Sequence, residues 1–91
     1  MLFAIIGTDG PRGQALRPSL RQAHLDRIDA LARDGRLVLA GPFSDGSGSL
    51  VVIEAPSLEE ARAFAEGDPY VTGGVFQSID VRPFIQVRPV P

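Results

Sequence analysis

The only histidine of the sequence, His24, is the strongest candidate for acid–base chemistry, because an imidazole titrates near neutral pH. At 100° per residue, three apolar residues lie within about 40° of this position on an α-helix, and they are Leu20, Ile28 and Leu31. His24 is therefore predicted to lie in the middle of an apolar helix face. It serves there either as a general base or acid, or as a core histidine that makes one hydrogen bond.

Two arginines precede this histidine on the same predicted helix. Arg17 lies about 20° from His24 around the helix axis and Arg21 about 60°, so both guanidinium groups can project toward the same edge. They are predicted to bind an anionic or phenolate-like substrate. The simpler alternative is that both are solvated residues of the first turns.

A carboxylate partner would orient the imidazole, and Asp68 is the best candidate for it. Asp68-Pro69 also has the form of a helix N-cap followed by proline at N1, and one carboxylate oxygen can cap while the other accepts from His24. Tyr70 places a phenol nearby, either as a substrate contact or as a packing aromatic. Asp9 is a further candidate for substrate binding, although turn formation alone explains an aspartate there.

The composition argues against most other kinds of functional site. Ninety-one residues predict one domain, 1–91, with a small core. The lack of cysteine excludes disulfides, thiolate metal sites and a cysteine nucleophile, and it fits a cytoplasmic protein; a single histidine predicts no metal site. The nine basic residues are interleaved with eleven acidic ones, so nucleic-acid binding is not expected. No apolar run approaches the roughly 20 residues of a membrane span.

The helix that carries His24 is predicted over residues 18–33. Pro18 fits its first turn, where a missing N–H costs little, and Gly35 is the predicted C-cap. An uninterrupted apolar run at residues 2–8 precedes this helix and is typical of a buried central strand.

The remaining pattern predicts a hairpin, a second helix and a last strand. Two strands are expected at 36–40, ended by Gly-Pro, and at 50–55, on either side of a loop rich in Ser, Asp and Gly. Residues 57–60 form a capping box, with Ser at the N-cap and Glu at N3, that opens the second helix. The last strand is expected at 75–81, and the extended, proline-containing tail 82–91 follows it.

This β-α-β-β-α-β order predicts an α+β, ferredoxin-like fold, in which two helices cover one face of a four-stranded antiparallel sheet. The other face is left bare, and residues 75–81 carry apolar side chains on both sides. A second copy is therefore expected to cover this face, sheet against sheet, in a homodimer. The tail 82–91 suits a sheet edge or a position across the partner subunit.

Four stretches of the sequence resemble the YCII-like family, and together they span nearly the whole chain. In order, they are Arg-Pro-x-x-x-x-x-His-Leu at 17–25, Gly-Arg-Leu-x-x-Ala-Gly-Pro at 35–42, Asp-Pro-Tyr-Val-x-x-Gly-Val, with one additional Gly, at 68–75, and Val-Arg-Pro-Phe at 81–84. The resemblance implies a dimeric α/β-barrel fold and an active site built on His24 and Asp68. One group of relatives is similar to dehydrochlorinases of chlorinated hydroxyquinols.

Two functions are compatible with these residues. The first is a small, cofactor-free enzyme in which His24, oriented by Asp68, catalyses a lyase-type elimination or proton transfer on a small phenolic or anionic compound. The alternative is a non-catalytic dimer, ligand-binding or structural, in which His24 and Asp68 form a buried hydrogen bond. An enzyme requires a cavity beside His24 that opens to solvent, whereas a structural pair requires none.

Overall fold

The computed structural model describes residues 1–91, which form a four-stranded antiparallel sheet with helices on one face. Along the chain the elements are β1 (Leu2–Asp9), α1 (Gly13–Arg33), β2 (Leu37–Pro42), β3 (Gly48–Glu54), α2 (Leu58–Glu66), α3 (Pro69–Thr72) and β4 (Phe76–Phe84). The strand order in the sheet is β2-β3-β1-β4, and every pair is antiparallel. This arrangement confirms the predicted ferredoxin-like α+β fold.

The apolar run of β1 forms the centre of the sheet, between β3 and β4. Phe3 and Ile5 point toward the helices and pack with Ile28 and Leu31 of α1 in the main core cluster. The intervening residues of β1 are only half-buried, because they lie on the face away from the helices. The core is therefore a single layer between the sheet and the helices.

Helix α1 begins at Gly13, five residues before the predicted start, and Pro18 lies inside it. The prediction was wrong because it used only the local cost of proline, which removes one hydrogen bond of a helix interior. Tertiary contacts hold the additional turn. Gln14 donates to the Asp9 carboxylate at 3.1 Å, and Arg17 binds the same carboxylate. At the other end the C-cap is Asp34, one residue before the predicted Gly35, and Gly35 follows it with φ 71°.

Both edge strands are longer than predicted. β2 includes Gly41 and Pro42, which were expected to end it, and β4 runs from Phe76 to Phe84 through Pro83 instead of over 75–81. Proline interrupts a central strand because it cannot donate to the ladder, whereas an edge strand tolerates it. β2 and β4 are the two edges of this sheet, which explains both extensions.

Helix α2 begins as predicted, with the Ser57 hydroxyl accepting from the backbone N–H of Glu60 at 3.2 Å. Ala61 and Ala65 on its inner face belong to the core. The short helix α3 follows α2 and lies beside α1. None of the helices combines the length and the apolar composition needed to cross a membrane.

The sheet face away from the helices is less apolar than predicted along β4. Asp80 and Arg82 pair with Ile6 and Ala4 on this face, so β4 is polar there. Apart from Phe84 at the end of β4, the apolar part lies on the other three strands, and the segment after β4 crosses it. A cavity of about 200 Å³ separates the two, lined by Leu39, Leu50, Val52, Gln86, Arg88 and Pro89 among others.

Candidate active site

The predicted histidine–aspartate pair forms in the structure. His24 on α1 and Asp68 at the start of α3 are 44 residues apart, and both are 7% exposed. Nδ1 of the imidazole lies 2.9 and 2.8 Å from the two carboxylate oxygens. Because a carboxylate accepts hydrogen bonds, we assign the ring proton to Nδ1, which leaves the lone pair of the neutral ring on Nε2.

Asp68 is held by the backbone as well as by the histidine. It is the N-cap of α3, with Pro69 at N1, and its Oδ1 accepts from the backbone N–H of Tyr70 at 2.8 Å. The carboxylate therefore has the predicted double role of helix cap and histidine partner. Since the cap fixes the carboxylate, the carboxylate in turn fixes the orientation of the His24 ring.

Tyr70 forms one wall of the site. Its ring stacks on the imidazole of His24, with centroids 4.0 Å apart and planes 8° apart. Phe76 packs edge-on against Tyr70 at 5.5 Å, and the Arg17 guanidinium lies 5.0 Å from the Tyr70 ring centre. These contacts restrict the imidazole to one orientation.

A cavity of about 270 Å³ opens beside His24, between α1 and the strands β2 and β3. Nε2 of His24 makes no hydrogen bond within the protein, and no fully buried side-chain nitrogen or oxygen lacks one, so Nε2 is accessible to solvent. An apolar cavity of roughly 150 Å³ already accommodates benzene, so a single substituted ring fits here. The lining includes Arg17, Arg21, His24, Ile28, Ser49 and Tyr70.

Arg17 is bound to Asp9, so the alternative of a solvated arginine is wrong at this position. Its Nε and Nη2 donate to the two oxygens of Asp9 at 2.9 and 2.8 Å, and Nη2 donates to the Ser49 hydroxyl at 3.1 Å. Neither side chain of the ion pair is more than 8% exposed. The hydrogen bonds to Asp9 raise the pKa of the Arg17 guanidinium above its usual value, against the opposing effect of burial.

The other two predicted substrate contacts lie apart from each other. Asp9 does not line the cavity and contacts Arg17 from behind it. Arg21 is exposed, makes no hydrogen bond or ion pair, and lines the cavity together with His24. No Asp or Glu lines this cavity, and nowhere in the chain do three or more His, Cys, Asp or Glu side chains gather to hold a metal ion.

Two residues of the site were not predicted from the sequence. Ser49, which is 4% exposed, lines the cavity and accepts from Arg17. Phe76 reaches Tyr70 because a bulge shifts the register of β4 opposite Asp9. Ser49 lies in a stretch that has the composition of a loop, so its position in the site could not be predicted. A bulge is not visible in the alternation of apolar and polar residues along a strand, so the orientation of Phe76 could not be predicted either.

Comparison with known proteins relates the chain to one family. The sequence matches the family model of the YCII-related domain over residues 1–85. It is 39% identical to protein YciI of Escherichia coli O6:H1, over 96% of this chain and 99% of that protein. It is 32% identical, with the same coverage, to an uncharacterized protein of Haemophilus influenzae.

A solved structure from Burkholderia phenoliruptrix AC1100 has a similar fold. It is the 5-chloro-2-hydroxyhydroquinone dehydrochlorinase TftG in complex with 2,5-dihydroxybenzoquinone. The TM-score is 0.83 and the sequence identity 28%, and the match covers 94% of this chain and 95% of that one. The similarity therefore extends to a protein that is an enzyme.

Proposed function

Because the chain belongs to the YCII-related domain family, we propose that it is a small acid–base enzyme of the lyase type, in which His24 transfers protons and Asp68 orients it. The observation that carries this proposal is the arrangement of the two ring nitrogens. Nδ1 is bound to a fixed carboxylate, while Nε2 is unbonded and accessible, and His24 lines a cavity large enough for one aromatic ring. We infer a phenolic substrate, since a phenol offers the proton that such a base removes.

We take the reaction of the structural relative as the template for the work of these groups. With 5-chloro-2-hydroxyhydroquinone as substrate, Nε2 of His24 takes the proton of the hydroxyl beside the chlorine-bearing carbon and returns it to that carbon, which gives a ketone. Nε2 then takes the proton of the hydroxyl para to the first. The O–H electron pair forms a second C=O, the ring double bond shifts, and the C–Cl pair leaves as chloride. The net change is loss of one proton and one chloride, so the reaction requires no oxidant, reductant or cofactor.

The neighbouring side chains support each proton transfer. Asp68 stabilises the imidazolium that forms when Nε2 takes a proton, through the Nδ1–H hydrogen bond. Tyr70 holds the ring plane and offers an aromatic wall for the substrate. The positive charge of Arg21 at the cavity stabilises the developing phenolate, whereas Arg17 is paired with Asp9.

The test is chloride release from 5-chloro-2-hydroxyhydroquinone by the wild-type protein and by His24→Gln. Positioned acid–base groups contribute roughly 10²–10⁴-fold, so His24→Gln is expected to lose at least about 100-fold in kcat. Gln22→Ala is the matched control, because Gln22 is exposed on the same helix and bonds only to Asp26. Absence of turnover by the wild-type protein would refute dehydrochlorination for this chain, and full activity of His24→Gln would refute the role of His24.

We also propose that the protein is a cytoplasmic homodimer. The apolar part of the free sheet face and the exposed tail offer a second copy a contact surface: Ile85, Val87 and Val90 are between 64% and 85% exposed. A partner subunit laid sheet against sheet would cover both. Sedimentation velocity is expected to give twice the mass of the chain, and a monomer at micromolar concentration would contradict this arrangement.

One observation favours the structural alternative. The His24–Asp68 pair is almost fully buried, and Asp68 also caps α3, so the pair stabilises the contact between α1 and α3. If this were its only role, His24→Gln would lower the free energy of unfolding by about 1–3 kcal/mol, and no phenol would bind to the wild-type protein.

A further inference from the structure

We propose that Arg21, and not Arg17, is the residue through which this site selects an anionic substituent on its substrate. The inference rests on the proposed function, because it assumes a ring compound beside His24. It adds the position at which the negative charge of that compound is bound. The two arginines lie one turn apart on α1, and only Arg17 forms an ion pair.

Arg17 already has its counter-ion. Asp9 accepts two hydrogen bonds from it in bidentate geometry, and Ser49 accepts a third. A substrate anion would have to compete with a carboxylate that is 2.8 Å away and buried. Arg17 is therefore a positioning residue, whose guanidinium lies 5.0 and 5.7 Å from the ring centres of Tyr70 and Phe76.

Arg21 has no counter-ion and lies between two cavities. One is the cavity of about 270 Å³ that His24 lines, and the other, of about 280 Å³, lies against the loop between β2 and β3. Both cavities share Arg17, Arg21 and Pro42 in their linings, and neither lining includes an Asp or Glu. The wall of the second cavity includes Gln14, Ser44, Gly46 and Gly48, and Phe43 is its only hydrophobic side chain.

This arrangement defines the class of ligand. The ring of the substrate occupies the first cavity against Tyr70, and its charged substituent extends past Arg21 toward the second. Two guanidinium groups one turn apart on a helix repel each other, and Asp9 compensates only Arg17. An anion at Arg21 would compensate the second charge, and the planar guanidinium suits a carboxylate in particular. The predicted ligand is thus a single-ring phenol that carries a carboxylate or another ionised oxygen.

The experiment compares two probes of nearly the same shape, 4-hydroxybenzoate and the neutral 4-hydroxybenzamide. Their Kd values are measured by calorimetry on the wild-type protein, on Arg21→Gln and on Arg62→Gln. Arg62 is the matched control, because it is exposed on α2, makes no ion pair and lines no cavity. We expect the wild type and Arg62→Gln to bind the acid on the order of tenfold more tightly than the amide, and Arg21→Gln to bind both equally.

The proposal is overturned if the wild-type protein shows no preference for the acid, whether it binds both probes equally or neither. It is overturned too if Arg21→Gln keeps the preference, or if Arg62→Gln loses it to the same extent. Binding is measured without turnover, so the two proposals can fail separately. If the preference depends on Arg21 but the protein releases no chloride, the anion site is supported and dehydrochlorination is refuted.

Discussion

Asp9→Asn removes the negative charge opposite the buried guanidinium of Arg17 while it preserves the shape of the side chain. In the wild-type protein Asp9 accepts two charge-assisted hydrogen bonds from Arg17, at 2.9 and 2.8 Å, and one from Gln14 at 3.1 Å. The asparagine has a single oxygen and an amide NH₂ that faces the guanidinium donors. At least one donor of Arg17 therefore loses its acceptor, and the charge of Arg17 loses its counter-ion.

The size of the effect follows from the burial of this pair. Removing one partner of a buried ion pair costs roughly 3–5 kcal/mol, because the other charge remains buried. The side chains of Arg17 and Asp9 are 8% and 6% exposed, and Arg17 borders the cavity, so partial access to water favours the lower end of that range. We expect the free energy of unfolding to fall by about 3 kcal/mol, which corresponds to a Tm decrease of roughly 12–24 °C for a domain of this size.

Urea unfolding followed by circular dichroism measures this loss, at one protein concentration because assembly would make stability concentration-dependent. Asp80→Asn is the matched control, since the Asp80–Arg82 pair is exposed and should contribute less than about 1 kcal/mol. The double variant Asp9→Asn/Arg17→Met no longer buries a charge and should recover part of the loss. Equal stability of Asp9→Asn and Asp80→Asn would show that the Asp9–Arg17 pair does not hold the first turn of α1, and would refute the reasoning.

Two further predictions concern the strands and the loop near the cavity. Gly48→Ala would place a Cβ 1.9 Å from the carbonyl oxygen of Gly7, so it should cost about 3 kcal/mol or more in urea unfolding. Gly41→Ala, whose Cβ would meet nothing within 4 Å, should stay within about 0.5 kcal/mol of the wild type; equal effects of the two would contradict the pairing of β1 with β3. Hydrogen bonds from Ser47 lower the pKa of Asp45, so the folded state favours the ionised carboxylate. Its contribution to stability is present above the unfolded pKa and is lost as the pH falls through the folded value. The Tm difference between wild type and Asp45→Ala should therefore shrink below about pH 4, and a difference that grows with acidity would reverse the assigned sign.

The parts of the site that depend on local chemistry could be predicted from the sequence. Helical periodicity placed His24 on the buried face of α1, because that face is set by residues within two turns. The Asp-Pro pair identified Asp68 as an N-cap, because capping depends on the next two or three backbone N–H groups. The contact between the two residues also requires that α1 and α3 lie side by side, which the predicted order with two helices does not specify.

The parts that depend on distant contacts could not be predicted. The sequence predicted that α1 begins at Pro18, because proline costs little only in the first turn of a helix. In the structure Arg17 binds Asp9 at the end of β1, and this ion pair helps to hold the turn before the proline. The same ion pair gives Arg17 a counter-ion that Arg21 lacks, although the helical spacing predicts that both project toward the same edge. The bulge that turns Phe76 toward the site is set by the pairing of β4 with β1 and leaves no trace in the sequence.

The protonation of the His24 ring tests the central claim most directly. The chain has one histidine, so its two ring nitrogens can be assigned in a ¹⁵N spectrum without mutagenesis. At a pH high enough for the ring to be neutral, the proposed site predicts a proton on Nδ1, bound to Asp68, and an unprotonated Nε2 whose resonance shifts when 4-hydroxybenzoate is added. A proton on Nε2, or an Nε2 resonance that the phenol does not move, would contradict the assignment of His24 as the acid–base group of this cavity.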